Sequence, residues 1–405
     1  MGDKRINGNF QLAFPTCTDL FRLIFCIAFS LTAFTRNDNG QPVFPAQLIA
    51  HVPYAVVTAL IGIVLMVVNK IDRAKNDVIM EDKMYSIAYV VPYFGKFPKG
   101  FQFWLLSCKC NPSIDWLIFT DDKTPYDYPE NVKVTYWTFD QMKKKAQAIY
   151  DFPIFLERPY KLCDFKPAYG EIFVDELKDY DFWGHCDIDL VWGNIRKFYT
   201  DEVLGQYEKI GFNGHSNLYK NTPEVCARYR THIEGKMYYR DVYSVDKGFA
   251  FDEPGMDDIY EALQIPVYKK IDFANLLKYD YGFFLDWGKE EDAYKNEHQV
   301  FTWHNGTLLR HYLDHGKIKD EEYMYLHYWC RPTTFAIKEY DEQKDYLIYA
   351  DTTMDKPFEL TPELILKRSH RSKVKYYAKV LWFNRKKITW ERIVFNVKGM
   401  LNYKK

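Results

Sequence analysis

The sequence predicts an α/β fold built around a sheet of parallel strands. Between residues 85 and 192, short apolar runs rich in β-branched and aromatic residues alternate with segments of helical spacing. Such runs are typical of strands buried on both faces, and strands that alternate with helices favour a parallel sheet. With 405 residues, of which 47% are hydrophobic and 27% charged, the chain can bury a large core and is not disordered as a whole.

The predicted elements follow one another along this part of the chain. Four strands are expected, each ending at a proline, an acidic pair or a turn: Tyr85–Val91, Trp116–Thr120, Val132–Phe139 and a fourth that begins at Tyr180 and runs into Gly184–Trp192. Two helical segments are expected between them: Phe101–Cys108 and Arg158–Leu177, the second interrupted at Lys166-Pro167. Since ligands of such sheets bind beyond the carboxyl ends of the strands, the candidate loops are residues 92–97, 121–124 and 185–194.

Two aspartates, Asp187 and Asp189, lie where the fourth strand ends. Side chains alternate along an extended backbone, so both carboxylates are expected on one side. Mg²⁺ and Mn²⁺ bind one or two carboxylates together with substrate phosphates, and a metal so placed makes a diphosphate a better leaving group. A solvated or salt-bridged turn is the alternative. The metal hypothesis fails if internal arginines or lysines neutralise the pair.

Five stretches carry a resemblance to a known family: residues 88–98, 116–122, 160–170, 180–193 and 325–328. In their order they resemble GT-A-fold glycosyltransferases of a largely uncharacterised, mostly bacterial family linked to surface-polysaccharide synthesis. Over roughly residues 84–335 the resemblance implies a GT-A-like Rossmannoid mixed sheet flanked by helices. It also implies a metal-dependent enzyme, with Mn²⁺ or Mg²⁺, that moves a sugar from a nucleotide-sugar donor to a hydroxyl of a glycan or lipid-linked acceptor.

The resemblance implies roles for particular residues. Asp187 and Asp189 match the metal-binding pair of that fold, and His327 matches a late histidine that adds a further metal ligand. The places where the family holds its donor nucleotide match Pro92, Tyr93, Phe94, Lys96, Asp121 and Asp122. Arg331 would hold a phosphate oxygen. A buried, hydrogen-bonded histidine is the alternative for His327, and a surface ion pair is the alternative for Arg331.

Two charged residues of the second helical segment are candidates for contact with the sugar diphosphate, Lys166 and Asp164. Lys161 and Asp164 are three residues apart and share a helical face. An intrahelical ion pair is therefore the competing interpretation for that pair.

Polar residues further along the chain complete the predicted site. The Gly211–Asn217 segment is rich in small residues, and its Asn213 and His215 suit a loop that lines the sugar; an ordinary turn is the alternative. Asp252 and Glu253 follow an apolar run, and either is a candidate for the base that removes the proton of the acceptor hydroxyl. An acidic helix start is the other interpretation, and inversion or retention at the sugar stays open.

The N-terminal segment predicts contact with a membrane. Residues 44–69 contain no Asp, Glu, Lys or Arg and are long enough to cross a bilayer as a helix. The basic residues Lys70, Arg73 and Lys75 follow directly, which places the large domain in the cytoplasm. Residues 1–79 are thus expected to be a membrane-associated or dispensable segment, residues 84–335 the catalytic domain and residues 336–405 a C-terminal extension.

The last forty residues are strongly basic. Residues 366–405 carry thirteen lysines and arginines and one acid, Glu391, whereas the rest of the chain carries 41 basic and 54 acidic residues. Apolar and aromatic residues are interleaved with the cations, which predicts a basic amphipathic helix on an anionic membrane surface. Packing of this tail on the acidic domain is the alternative, and nucleic acid is not the expected partner.

Two other functions compete with glycosyl transfer. A sugar-phosphate nucleotidyltransferase would share the architecture, but it would carry a glycine-rich basic loop where Pro92–Pro98 has one Gly and one Lys. A membrane-anchored glycan-binding protein without turnover is the non-catalytic alternative. A P-loop NTPase and an ordinary α/β-hydrolase are disfavoured because the sequence contains neither a GxxxxGK[ST] nor a GxSxG motif.

Overall fold

A computed structural model describes residues 84–276, 285–287, 298–349, 351–356 and 359–369, with isolated positions between 374 and 385. All of them belong to a compact unit that spans Asp82–Lys405. The predicted apolar segment before residue 80 and most of the predicted basic helix lie outside the described residues. Over the part that is described, no helix has both the length and the apolar character needed to span a bilayer.

The described residues contain strands in three sheets and mostly short helices. The strands are β1 Ile87–Tyr93, β2 Ile114–Thr120, β3 Val132–Tyr136, β4 Phe182–Cys186, β5 Leu190–Trp192, β6 Lys209–Ile210, β7 Ser216–Lys220, β8 Phe273–Leu276, β9 Leu285–Trp287, β10 Gln299–His304, β11 Thr307–Asp314, β12 Lys317–Tyr323, β13 Tyr325–His327, β14 Thr334–Ala336, β15 Tyr346–Tyr349 and β16 Thr352–Asp355. The α-helices are α1 Phe101–Lys109, α2 Phe139–Gln147, α3 Leu162–Phe165, α4 Tyr169–Ile172, α5 Val174–Leu177, α6 Asp201–Gln206, α7 Pro223–Cys226, α8 Tyr239–Tyr243, α9 Met256–Ala262 and α10 Pro362–Ser369.

The first sheet has the order β3-β2-β1-β4-β7-β6. The four strands β1 to β4 pair in parallel, whereas β7 pairs antiparallel with β4 and with β6. The predicted α/β fold is confirmed, and the sheet is mixed. The helical segment predicted over residues 158–177 is a series of short helical turns. Pro159 begins one 3-10 turn, and Pro167 is the second residue of another, Lys166–Ala168, where the interruption was predicted.

Alternating residues of β1 pack into two different cores, one on each face of the first sheet. Ala88 and Val90 belong to one apolar cluster, and Ile87, Tyr89 and Val91 belong to the other. This explains why the strand reads as a continuous apolar run. A third cluster packs α1 against the second and third sheets.

Apart from β5, the strands of the second and third sheets come after those of the first sheet along the chain. The second has the order β12-β11-β10-β15-β16-β14, and the third has the order β5-β13-β8-β9. Three residues, 187–189, separate the end of β4 in the first sheet from the start of β5 in the third sheet. This short connection is the segment that contains the two aspartates.

Candidate functional site

Backbone pairing brings three distant segments together at the end of β4. Asp187 and Asp189 lie in the turn between β4 and β5, and the Asp187 N–H donates to the His215 carbonyl over 3.0 Å. Strand β13 runs antiparallel to β5 with His327 opposite Leu190, and the Tyr328 N–H donates to the Asp189 carbonyl over 2.8 Å. The two aspartates therefore face one site, as predicted, but a turn rather than an extended strand places them there.

Asp187, Asp189 and His327 offer ligand atoms that lie within 4.8 Å of one another. His327 Nε2 is 3.3 Å from Asp189 Oδ1 and 3.7 Å from Asp187 Oδ2. His327 Nδ1 lies 2.8 Å from the side-chain oxygen of Asn275. Because an amide oxygen only accepts, Nδ1 donates in this contact, and Nε2 is the ring nitrogen that faces the carboxylates. A histidine oriented by a second hydrogen bond in this way is a common feature of metal sites.

The surroundings of Asp189 favour its charged form. Burial alone would raise the pKa of Asp189, but the charge and hydrogen bond of His327 and the hydrogen bonds from Cys330 outweigh it and lower this pKa. The Cys330 N–H donates to Asp189 Oδ2 over 2.5 Å. One oxygen of Asp189 is therefore held by the protein, while the other faces His327.

Asp187 shares its carboxylate with a buried lysine. The Lys166 ammonium donates to Asp187 Oδ1 over 2.9 Å and to the Gly214 carbonyl over 2.6 Å, and it lies 3.2 Å from Asp252 Oδ2. Lys166 thus neutralises part of the acidic cluster. Lys166 does not occupy every oxygen of the two aspartates, because Asp187 Oδ2 and Asp189 Oδ1 both face His327.

Asp252 is a buried carboxyl group of the site whose pKa is raised. Burial raises the pKa of Asp252 to about 7; Lys166 opposes this rise, and the charges of Glu253 and Asp187 add to it. The Gly214 N–H donates to Glu253 Oε1 over 3.0 Å. A Cβ on Gly214 would lie 2.5 Å from Asp252 Oδ2, so only glycine allows this close approach.

A cavity of about 1470 Å³ opens over these groups. Most of the side chains predicted to bind donor, metal or acceptor line it: Pro92, Tyr93, Phe94, Lys166, Asp187, Asp189, Asn213, His215, Asp252, Glu253, His327 and Arg331. His215 stacks on His327 with ring centroids 4.5 Å apart. Burial, and then the charges of His327 and Lys166, lower the pKa of His215 well below its usual value, so its ring stays neutral there.

The comparisons with known proteins identify a family. The model of the family of unknown function DUF6625 matches residues 89–357. The chain belongs to DUF6625. No curated protein matches this chain.

Two solved structures have a weak likeness to this DUF6625 protein. An active-site mutant of LgtC is 12% identical with a TM-score of 0.31, and the match covers 61% of this chain and 88% of that one. The apo form of mouse xyloside xylosyltransferase 1 is 11% identical with a TM-score of 0.27, and the match covers 48% of this chain and 88% of that one. Likeness at this level establishes no shared activity.

Three predicted donor residues do not line the cavity of the DUF6625 protein. The Asp122 carboxylate accepts from the Lys96 ammonium over 2.6 Å and from the Phe97 N–H over 3.0 Å. The Asp121 carboxylate accepts from the Gly95 N–H over 2.7 Å, where φ is +97°. Lys96, Asp121 and Asp122 therefore brace the loop that follows β1, and their contact with a donor stays a prediction.

The pairing of Lys161 with Asp164 is the intrahelical ion pair that their spacing predicts. Lys161 Nζ lies 2.9 Å from Asp164 Oδ2, and both side chains are almost fully buried. The ammonium also donates to the carbonyls of Val242 over 2.8 Å and Lys247 over 2.5 Å. Sequence reasoning did not foresee these two partners, nor the role of Asn275, because nothing in the local pattern marks them.

Replacing Lys161 by methionine is expected to lower the free energy of unfolding by about 3–5 kcal/mol, because it leaves the Asp164 carboxylate buried without its cation. Urea unfolding followed by circular dichroism measures this. The control is Lys133→Met, which breaks the partly exposed pair with Asp115 and is expected to cost at most about 1 kcal/mol. Equal losses in the two variants would contradict a structural role for the buried pair.

Proposed function

We propose that this DUF6625 protein is a metal-dependent glycosyltransferase that uses a nucleotide-sugar donor. The observation that supports this proposal most strongly is the convergence of Asp187, Asp189 and His327 on the wall of a large cavity. Two carboxylates and one imidazole are the ligand types that a divalent cation needs, and the cavity leaves room for a substrate beside them.

The ligand set fits Mn²⁺ better than Mg²⁺. Carboxylate oxygens suit both ions, whereas an imidazole nitrogen suits a transition metal. Asp187 Oδ2, Asp189 Oδ1 and His327 Nε2 would hold the ion. When bound, the metal would neutralise the charge that develops on the diphosphate as the glycosidic bond breaks.

The residues around this centre have separate tasks in the proposed reaction. Pro92, Tyr93 and Phe94 would contact the nucleotide, because they lie at the carboxyl end of β1 and line the cavity. The buried Arg331 guanidinium would bind a phosphate oxygen. Asp252 would take the proton of the acceptor hydroxyl, since a carboxyl group that titrates near pH 7 is suited to this role.

The acceptor and the location of the reaction belong to the proposal as well. We propose a glycan or lipid-linked acceptor in polysaccharide synthesis, with the catalytic domain on the cytoplasmic face of a membrane. The apolar segment before residue 80 and the basic tail support this part through their sequence alone.

A thermal-shift screen of nucleotide-sugars tests the proposal. A ligand that binds only the native state raises the melting temperature by mass action. We expect one class of nucleotide-sugar to stabilise the protein only when Mn²⁺ is present. We also expect this nucleotide-sugar to release a nucleoside diphosphate on incubation. Stabilisation by a nucleotide-sugar that is the same with and without Mn²⁺ would contradict the metal site. Release of pyrophosphate would indicate a nucleotidyltransferase instead.

A further inference from the structure

An exposed tyrosine that has no role in the proposed reaction lines the cavity. Tyr160 is 77% exposed and lies in the 3-10 turn Pro159–Lys161. It lines the same cavity as Phe249, Asp252 and Glu253. A single exposed aromatic residue is common on protein surfaces and by itself indicates nothing. The position and the anchoring of Tyr160 distinguish it from such residues.

The turn that carries Tyr160 is anchored by the buried side chain of the next residue, Lys161. The Lys161 side chain is completely buried, and its ammonium donates to Asp164, Val242 and Lys247. Such a buried cation with three acceptors immobilises the backbone of the turn. The Tyr160 side chain is thus presented to the cavity by a rigid segment.

The same ion pair fixes the segment that leads to the proposed base. The Asp164 carboxylate accepts from the Phe249 N–H over 3.0 Å and from the Phe251 N–H over 3.2 Å, directly before Asp252. Lys161 Nζ lies 5.2 Å from the centre of the Phe249 ring. The turn of Tyr160 and the segment that carries Phe249 and Asp252 are therefore held by one buried group.

An aromatic surface next to carboxylates has the chemistry of a sugar-binding site. A pyranose ring has an apolar face of C–H groups, which packs on an aromatic ring, and hydroxyls at its edge, which need hydrogen-bond acceptors. Tyrosine offers such a face at a low cost in conformational entropy. The carboxylates of Asp252 and Glu253 offer the acceptors.

We propose that Tyr160, together with Phe249, which lines the same cavity, is the platform on which a pyranose ring of the acceptor stacks, with its reacting hydroxyl toward Asp252. The assignment to the acceptor rests on the proposed function. The donor is expected at Pro92, Tyr93 and Arg331, which line the same cavity.

The experiment compares Tyr160→Ala with Tyr160→Phe in the full chain. The probes are the methyl glycosides of glucose, galactose, mannose and N-acetylglucosamine, and their binding is measured by saturation-transfer NMR. We expect Tyr160→Ala to weaken binding about tenfold, the loss of one aromatic contact, and Tyr160→Phe to restore it. The control is Tyr136→Ala: this tyrosine is 49% exposed at the end of β3, away from the cavity, and its removal is expected to change nothing.

The outcomes separate this inference from the proposed function. Glycoside binding that is absent from the unmodified protein, or is equal in Tyr160→Ala, overturns the platform even if Mn²⁺-dependent stabilisation by a nucleotide-sugar persists. Binding that depends on Tyr160 in a protein that no nucleotide-sugar stabilises supports the platform, and it overturns glycosyl transfer in favour of a glycan-binding protein.

Discussion

Asp189→Asn is expected to abolish Mn²⁺-dependent donor turnover, with a loss of about a thousandfold or more. The substitution keeps the size of the side chain but removes the charge of a metal ligand, and several kcal/mol of charge stabilisation correspond to three powers of ten in rate. Asp187→Asn is expected to act in the same direction. Release of nucleoside diphosphate measures the rate, and calorimetric titration with Mn²⁺ measures the loss of metal binding.

The fold is expected to survive this substitution. An asparagine at position 189 can still accept the hydrogen bond that the Cys330 N–H donates, so the backbone after β13 keeps its anchor. The control is Asp115→Asn, because the Asp115 side chain is 24% exposed, as is that of Asp189, but lies near the start of β2 and pairs with Lys133. Undiminished turnover in Asp189→Asn, or an equal loss in Asp115→Asn, would refute the metal site.

The sequence was sufficient to predict the strand that places the two aspartates of the candidate site. The apolar runs of β1, β2 and β4 are unmistakable because both faces of the sheet are buried, and the position of Asp187 and Asp189 after β4 follows from them. His327 was predicted as a metal ligand only from the resemblance to GT-A-fold glycosyltransferases, since its place beside Asp189 depends on the pairing of β13 with β5. Such long-range pairing has no local signature.

Other parts of the site depend on contacts that no pattern in the sequence shows. Asp121 and Asp122 end β2 as predicted, yet their carboxylates turn toward the amides of the neighbouring loop, because unpaired N–H groups there need acceptors. Lys166 reaches both Asp187 and Asp252 only because a proline-broken helical segment packs under the turn after β4. The platform at Tyr160 likewise depends on the partners of its buried neighbour Lys161.

Asp252→Asn is expected to lower the rate of sugar transfer by about a hundredfold to ten-thousandfold, the usual contribution of a general base. The direction in which the rate of the unmodified protein changes with pH follows from the protonation of Asp252. Burial raises the pKa of Asp252 to about 7, and a base acts only when it is deprotonated. The rate of transfer is therefore expected to rise with pH, to reach half of its maximum near pH 7, and to lose this inflection in Asp252→Asn.

Glu253→Gln distinguishes the two carboxylates that the sequence leaves as candidates for the base. Glu253 accepts a hydrogen bond from the Gly214 N–H and its residue is exposed, whereas Asp252 is buried beside Lys166. A glutamine can still accept from that N–H, so Glu253→Gln is expected to keep the inflection near pH 7 and most of the rate. Asp258→Asn removes a nearby carboxylate that pairs with Lys236 outside the cavity, which makes it the matched control for charge. If the inflection disappears in Glu253→Gln and persists in Asp252→Asn, Glu253 is the base, and the burial of Asp252 serves the fold instead.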